Sequence, residues 1–198
     1  MENLKVKQIV ISKQAEDSEN FQKFIEIVNK KQIKVIYVGA KDSKDPCRLK
    51  IENKLYFDIL WPNNKNLISE NALNNNSIVC KLHYKGFSML FTGDIEKIAE
   101  EEILQAYKNN TSILNSTILK VAHHGSNTSS TEEFLKKVQP KIALIGVGEN
   151  NKFGHPNQEV LNRLKTLGCK VFRTDEMGEI TMLVNKEGKI KIKTQNRL

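Results

Sequence analysis

The chain has 198 residues, which is enough for one domain with a sizeable hydrophobic core. Hydrophobic residues make up 39% and charged residues 27%, a balance that excludes a disordered chain. The net charge of +8 favours polyanionic partners such as DNA, although lysines spread over a solvated surface explain the same excess. The longest apolar run is far shorter than the ~20 residues of a membrane helix. Because no signal peptide is apparent either, the sequence predicts a soluble chain.

The chain opens with a strand–helix–strand pattern. Residues 6–12 and 33–39 are apolar runs with the length of a β-strand. Between them, apolar residues recur at helical spacing after Ser18, a residue type that caps helices. Units of this kind pair their two strands in parallel, which is what we expect here.

Short strands separated by turn-rich loops follow. We expect strands over residues 47–51, 54–62 and 77–84. A turn at residues 84–86 joins the last of them to a further strand, whose apolar core indicates burial on both faces. His83, beside this turn, is expected to face solvent.

Helices and strands alternate again in the second half. The pattern predicts helices over residues 95–107, 130–138 and 156–167, strands over 117–122, 141–147 and 171–175, and a hairpin of 179–185 with 189–194. Ser130 and Glu133 have the spacing of a helix capping box, and Pro156 suits the first turn of its helix. These elements predict an α/β (α+β) fold of mixed sheets with outer helices.

Candidate functional residues follow three buried strands. Asp94 follows the strand with the core Met89-Leu90-Phe91, His123 and His124 follow the next strand, and Asn150 and His155 lie in the loop after the third. Because side chains at the ends of adjacent strands converge, we expect these residues to meet. A carboxylate and two imidazoles are ligands that zinc or manganese prefers.

The segment after the paired histidines suits a phosphate group. Ser126, Asn127 and Thr128 precede a predicted helix, whose first backbone N–H groups form a natural anion seat. We therefore predict that these three residues, together with Asn150, bind substrate.

Structural roles explain some of the same residues. Asp94 is equally well explained as a helix N-cap, and His155 as a turn residue before Pro156. Two successive histidines are harder to explain, since only one of them can point inward along a strand.

Four stretches occur in a familiar order: MLFTGDIEKIAEEEIL, ILKVAHHGSNTSS, KFGHPNQEVLNRL and RTDEMGEI. Together they resemble the metallo-β-lactamase-fold domain of ComEC-type DNA-internalisation competence proteins, over nearly the whole chain. The resemblance implies an αββα sandwich with a metal site on one edge, and a metal-dependent hydrolase with a nuclease role during DNA uptake.

The resemblance also implies roles for individual residues. Asp94, His123 and His155 correspond to metal ligands for one or two divalent ions, zinc or manganese. Asp94 and His124 correspond to catalytic groups, and which of the adjacent histidines binds metal stays open. Membrane association with the remainder of a competence protein is implied as well.

One signature of the family is absent from this sequence. Metallo-β-lactamase-fold enzymes have an H-x-H-x-D-H string that precedes these motifs, whereas the first histidine here is His83. We therefore interpret residues 1–198 as a single metallo-β-lactamase-like domain that lacks its N-terminal strands and first metal motif. We expect such a domain to be weakly active or inactive, to hold metal weakly, and to self-associate through an exposed sheet.

Two other functions fit the same residues. The substrate could be a small ester, lactone or lactam, because one fold supports many chemistries. The chain could also be a non-catalytic binding domain or remnant, for which the missing signature is the evidence.

Overall fold

A computed structural model of the chain describes residues 4–13, 18–39, 46–63 and 67–195. The strands are β1 (Gln8–Ser12), β2 (Lys34–Val38), β3 (Cys47–Glu52), β4 (Leu55–Trp61), β5 (Val79–Tyr84), β6 (Phe87–Phe91), β7 (Ile118–Lys120), β8 (Ile142–Ile145), β9 (Lys170–Arg173), β10 (Ile180–Val184) and β11 (Ile190–Thr194). The helices are α1 (Glu19–Lys30), α2 (Ala72–Asn75), α3 (Lys97–Ala106), α4 (Glu132–Val138), α5 (Gln158–Thr166) and α6 (Thr174–Met177).

A seven-stranded mixed sheet in the order β3-β4-β5-β6-β7-β8-β9 forms the centre of the molecule. Strands β3 to β6 pair antiparallel; short turns join β3 to β4 and β5 to β6, and residues 62–78, which include α2, connect β4 to β5. Strands β6 to β9 pair parallel, because helices α3, α4 and α5 connect them. The predicted mixed α/β class is thus confirmed, as are the parallel pairing of β1 with β2 and the hairpin of β10 and β11.

Apolar residues on both faces of this sheet form two cores. One face packs against helices α3 to α5, and its fully buried strand residues include Leu90, Leu119 and Ala143. On the opposite face, Phe87, Met89 and Ile118 form a smaller cluster, against which residues of the β10–β11 hairpin pack. The parallel strands are therefore covered on both sides, and their exit ends and loops remain available for a site.

Two predicted helix starts were wrong. Helix α4 begins at Glu132 with Thr131 as its N-cap, whose side chain accepts a hydrogen bond from the N–H of Phe134 at 3.3 Å. Ser130, the predicted cap, has a left-handed backbone with φ 56°. Helix α5 begins at Gln158 with Asn157 as its cap, so Pro156 precedes the helix instead of lying in its first turn.

The expectation for His83 was also wrong. Its side chain is 24% exposed, and Nε2 lies 3.2 Å from Oδ2 of the buried Asp58. Its ring stacks on Tyr56 with centroids 4.6 Å apart, and burial lowers its pKa, which the charge of Asp58 partly opposes. Alternation along β5 thus places His83 on the same sheet face as Lys81, where its cross-strand partner is Tyr56.

Across the part of the chain that the structure describes, no helix is long and apolar enough to cross a membrane.

Candidate functional site

The candidate residues lie at the exit ends of the parallel strands. Asp94 is in the turn between β6 and α3, and the N-cap position of α3 is Glu96, so the alternative role of Asp94 as N-cap is wrong. Strand β7 ends at Lys120, and His123 and His124 follow in a 3₁₀ turn over Ala122–Gly125. Both histidines have left-handed backbones, with φ 46° and 54°, a conformation that is uncommon for residues other than glycine. The turn, and not strand alternation, sets the directions of the two rings.

Asp94 and His124 form the first carboxylate–imidazole pair. Oδ1 of Asp94 lies 3.7 Å from Nε2 of His124, and both side chains are partly exposed. Nδ1 of His124 lies 2.5 Å from the carbonyl oxygen of Gly146, so Nδ1 carries the proton and donates it. In a neutral ring, Nε2 then presents a lone pair on the side of Asp94.

His123 and Glu96 form a second pair beside the first. Nδ1 of His123 lies 3.4 Å from Oε1 of Glu96, but the angle does not make a hydrogen bond, and this buried nitrogen has no hydrogen-bond partner. Glu96 is held by several neighbours: Oε1 accepts from the hydroxyl of Thr128 at 3.1 Å and Oε2 from the side-chain amide of Asn71 at 2.8 Å. The carboxylate is therefore positioned before any ligand binds.

His155 completes the cluster from the loop after β8. Its ring lies 5.7 Å from the ring of His123 and 6.0 Å from that of Phe153, measured between centroids. The side chain of Asn151 brackets the His155 backbone, accepting from its N–H at 3.0 Å and donating to its carbonyl at 2.7 Å. Burial lowers the pKa of His155, and the neighbouring rings of His123 and His124 lower it further, so the neutral form is favoured.

The segment after the histidines uses its backbone donors internally. The N–H groups of Ser130 and Thr131 donate to the two carboxylate oxygens of Glu100, at 2.6 and 2.8 Å. Glu100 is fully buried, and burial raises its pKa, although hydrogen bonds from Thr131 and Ser130 act in the opposite direction. These two N–H groups, expected to be free for a phosphate, are thus already occupied by a carboxylate of the protein.

The predicted substrate-binding residues are found in three settings. Ser126 is buried, and its hydroxyl lies 3.0 Å from that of Thr128. Thr128 also donates to Glu96, whereas Asn127 and Asn150 are exposed. The structure therefore brings Thr128 to the histidine–carboxylate cluster, with the buried Ser126 next to it.

Sequence reasoning missed Glu96 and Glu100. Both belong to helix α3 or its cap, and nothing distinguishes their spacing from that of the acidic residues that are common on helix surfaces. The one available signal was for Glu96, which follows Asp94 by two residues in the quoted motif.

Two cavities lie near the site, one beside Glu96 and one lined by His124 and His155. The larger, of about 710 Å³, contains the side chains of Glu96, Lys97 and Arg163 and four further glutamates, Glu70, Glu101, Glu132 and Glu133. The smaller, of about 420 Å³, is bounded by His124, His155, Val147, Phe153 and the glycines at 146 and 148. The site thus has an acidic side and a side formed by apolar groups and backbone.

The side-chain types at the site suit a divalent metal ion, but the described residues do not form a complete set of ligands. Imidazole and carboxylate are ligands of zinc and manganese, and the buried unpartnered Nδ1 of His123 is the kind of atom that a cation satisfies. Within residues 4–13, 18–39, 46–63 and 67–195, however, no group of three or more His, Cys, Asp or Glu side chains is placed to hold a metal ion. The described residues therefore supply two carboxylate–imidazole pairs, which are part of a ligand set.

Comparisons with known proteins point to one group of relatives. The chain is 35% identical over 176 residues to ComE operon protein 3 of Bacillus subtilis (strain 168), which covers 89% of this chain and 21% of that protein. It is 32% identical over 158 residues to Competence protein ComA of Neisseria gonorrhoeae, which covers 77% of this chain and 22% of that protein. Recombination protein 2 of Haemophilus influenzae is 32% identical over 126 residues, which are 64% of this chain and 15% of that protein. No family model matches the chain.

The protein has a mixed α/β fold. Its imidazole and carboxylate side chains lie together at the ends where the parallel strands leave the sheet. Its homologues are ComEC-type competence proteins, as the motif order predicted, and the chain fits a domain of that type. The chain spans about a fifth of the length of the curated relatives that it matches most extensively.

Proposed function

We propose that this chain acts in a competence system as part of a metal-dependent hydrolase that cleaves phosphodiesters of DNA. Two relatives have names that refer to competence or to an operon of that kind, and a third is named for recombination, which supports DNA as the substrate. The observation that carries the proposal is the distance of 3.7 Å between Asp94 and His124, which are 30 residues apart in sequence.

We assign Asp94 and His124 as the first ligands of the ion. The bond from Nδ1 of His124 to the carbonyl of Gly146 supports this choice, because metal-binding histidines usually donate their other N–H to such a group. The ring of His155 lies beside that of His123, with 5.7 Å between the centroids, and its role as a further ligand stays a prediction. A bound divalent ion would supply Lewis acidity and lower the pKa of water to about 7.

The remaining ligands would come from an H-x-H-x-D-H segment, which this chain does not contain. Glu96 and His123 lie beside the Asp94–His124 pair, and hydrogen bonds from Asn71 and Thr128 fix the position of Glu96. Without the additional ligands, we expect the chain by itself to be weakly active or inactive.

The test is nuclease activity of the full-length gene product with manganese or zinc on a labelled DNA. Asp94→Ala should lower the cleavage rate by at least about tenfold, the lower end of the effect of disturbing a metal site. Glu149→Ala is the matched control, because Glu149 is exposed in the loop that follows β8. Cleavage that Asp94→Ala leaves unchanged would contradict the proposal.

A small ester or lactone is the second candidate substrate, and the cavity beside His124 favours it. This cavity, of about 420 Å³, has the size of a small-molecule site and is bounded by Val147 and Phe153. Hydrolysis of a chromogenic ester that falls with Phe153→Ala, together with intact DNA in the nuclease assay, would replace DNA by this substrate class.

A further inference from the structure

Basic residues gather at the end of the sheet that lies opposite the candidate site. Because β6 to β9 run parallel, they all enter the sheet at one end and leave it at the other, where Asp94 and His124 lie. The turns β3–β4, β5–β6 and β10–β11 are at the entry end, as are the residues that lead into β8 and β9. We call the exposed lysines of these turns and entries the basic end: Lys54, Lys85, Lys141, Lys170, Lys186 and Lys189.

Neighbouring segments of the basic end are in contact with one another. Lys54 precedes Leu55, which pairs with Tyr84, the residue before Lys85. The ammonium group of Lys85 donates to the backbone carbonyl of Lys186, which joins two of the turns. On the other side, the N–H of Lys170 donates to the carbonyl of Lys141 at 3.0 Å. The lysines thus fall into two groups at the same end of the sheet and are not scattered singly.

Acidic side chains at this end are few. Glu52 and Glu187 lie in two of the turns, and Glu187 accepts a hydrogen bond from the side-chain amide of Asn185 at 2.5 Å. Lysines are often found at helix C-termini, where they stabilise the helix dipole. None of these six lies in the last turn of a helix, so that role does not explain their positions.

Aromatic rings accompany the cations. The ammonium group of Lys85 lies 5.3 Å from the centre of the Tyr84 ring, and the guanidinium of Arg48 lies 4.1 Å from that of Tyr56. A cavity of about 510 Å³ at the β3–β4 turn contains Arg48, Tyr56, Lys50 and Lys54. Arg48 covers one face of the Tyr56 ring and His83 the other, so these rings support the cations and do not offer a stacking platform for bases.

The larger cavity beside the candidate site is acidic. It contains five glutamates against one lysine and one arginine. A DNA backbone approaching this cavity without a metal ion would therefore meet mainly negative charge, whereas the basic end attracts it.

We propose that the basic end binds the phosphate backbone of DNA, without sequence preference and without a metal ion. This inference rests on the proposed function, which makes DNA the substrate. It adds a second contact surface that holds the strand at a distance from the acidic site, so that binding and cleavage depend on different residues.

The test is binding of a fluorescein-labelled single-stranded oligonucleotide of mixed sequence to the whole chain in EDTA, over a series of salt concentrations. The variant Lys54→Gln/Lys85→Gln/Lys186→Gln should bind at least about tenfold more weakly at low salt. Its slope of log K against log salt should fall by about 2, because each single-strand contact contributes about 0.7. The control variant Lys7→Gln/Lys23→Gln/Lys30→Gln removes equal charge from exposed positions around β1 and α1, outside both surfaces, and should bind like the unmodified chain.

Two outcomes would overturn the inference. Equal losses in both variants would mean that net charge alone determines binding. Unchanged oligonucleotide binding, with binding to phosphatidylserine vesicles lost only in the basic-end variant, would assign the surface to lipid headgroups instead. Because Asp94→Ala is tested by cleavage with metal and the basic end by binding in EDTA, either proposal can fail while the other stands.

Discussion

Glu100 is the residue on which the geometry after the paired histidines depends. Its carboxylate accepts hydrogen bonds from the N–H groups of Ser130 and Thr131 and from the hydroxyl of Thr131, at 2.6, 2.8 and 2.7 Å. Arg163 donates to the carbonyls of Ser129 and Ser130 at 3.2 Å, and its charge acts on the carboxylate. A fully buried acid without a place in the candidate site thus holds the segment that joins the histidine turn to α4.

Replacing Glu100 by alanine should destabilise the fold. The substitution leaves two backbone N–H groups without their partner, and an unsatisfied buried donor costs about 1–3 kcal/mol. We expect the free energy of unfolding to fall by about 2–4 kcal/mol in urea denaturation at neutral pH. Glu101→Ala, at the exposed neighbouring position, should change it by less than about 0.5 kcal/mol, and similar losses in both variants would refute this role.

The pH dependence of stability gives a second readout of the same carboxylate. Its raised pKa means that the folded chain binds a proton that the unfolded chain has already released. The stability of the unmodified chain relative to Glu100→Gln should therefore fall as pH rises from the ordinary pKa of a glutamate through the raised value. A relative stability that rises with pH over this interval would show that the hydrogen bonds outweigh burial.

At the level of secondary structure, sequence patterns located the elements better than their boundaries. Apolar periodicity and turn residues predicted the parallel β1–β2 pair, the β10–β11 hairpin and the strands around Asp94. The helix starts at α4 and α5 were missed because Ser130 and Thr131, or Pro156 and Asn157, are adjacent residues that both suit a helix start, so tertiary contacts decide between them. For α4, the bonds of Glu100 make Thr131 the cap, a contact across 31 residues that local spacing does not reveal.

Gly125 lies where two loops of the site are in close contact. It has φ 84°, and a Cβ atom added there would lie 2.6 Å from Cβ of Pro156, too close for any real contact. The same residue accepts a backbone hydrogen bond from Asn157 at 2.8 Å, so the histidine turn and the His155 loop share this contact. Gly125→Ala should lower the free energy of unfolding by about 1–3 kcal/mol through overpacking and backbone strain.

Gly86→Ala is the matched control for this contact. Gly86 lies in the β5–β6 turn, nothing comes within 4 Å of an added Cβ, and its φ is not in the left-handed region. Thermal unfolding of the two variants should therefore separate them, with only Gly125→Ala losing several degrees of Tm. Equal shifts would mean that the contact with Pro156 relaxes without cost.

At the scale of the whole molecule, the order of strands in the sheet brings residues that are far apart in sequence into one site. The expectation that Asp94 and the histidines meet could be made from sequence, since they follow strands that a parallel sheet places side by side. The positions of Glu96 and Glu100 could not, because each acts through contacts with residues more than 20 positions away. The same parallel order separates the acidic site from the basic end, a division that net charge alone conceals.

Metal titration tests how complete the site is in this chain. The described residues offer carboxylate–imidazole pairs, whereas zinc sites in proteins use three or four protein ligands, so two donors should hold an ion weakly. Calorimetry with zinc or manganese should give a Kd weaker than about 1 μM for this chain. Tight binding of one ion, lost in both Asp94→Ala and His124→Ala but kept in Glu149→Ala, would contradict the expectation. It would mean that side-chain rotation within this chain closes a ligand set, so that no H-x-H-x-D-H segment is needed to retain the ion.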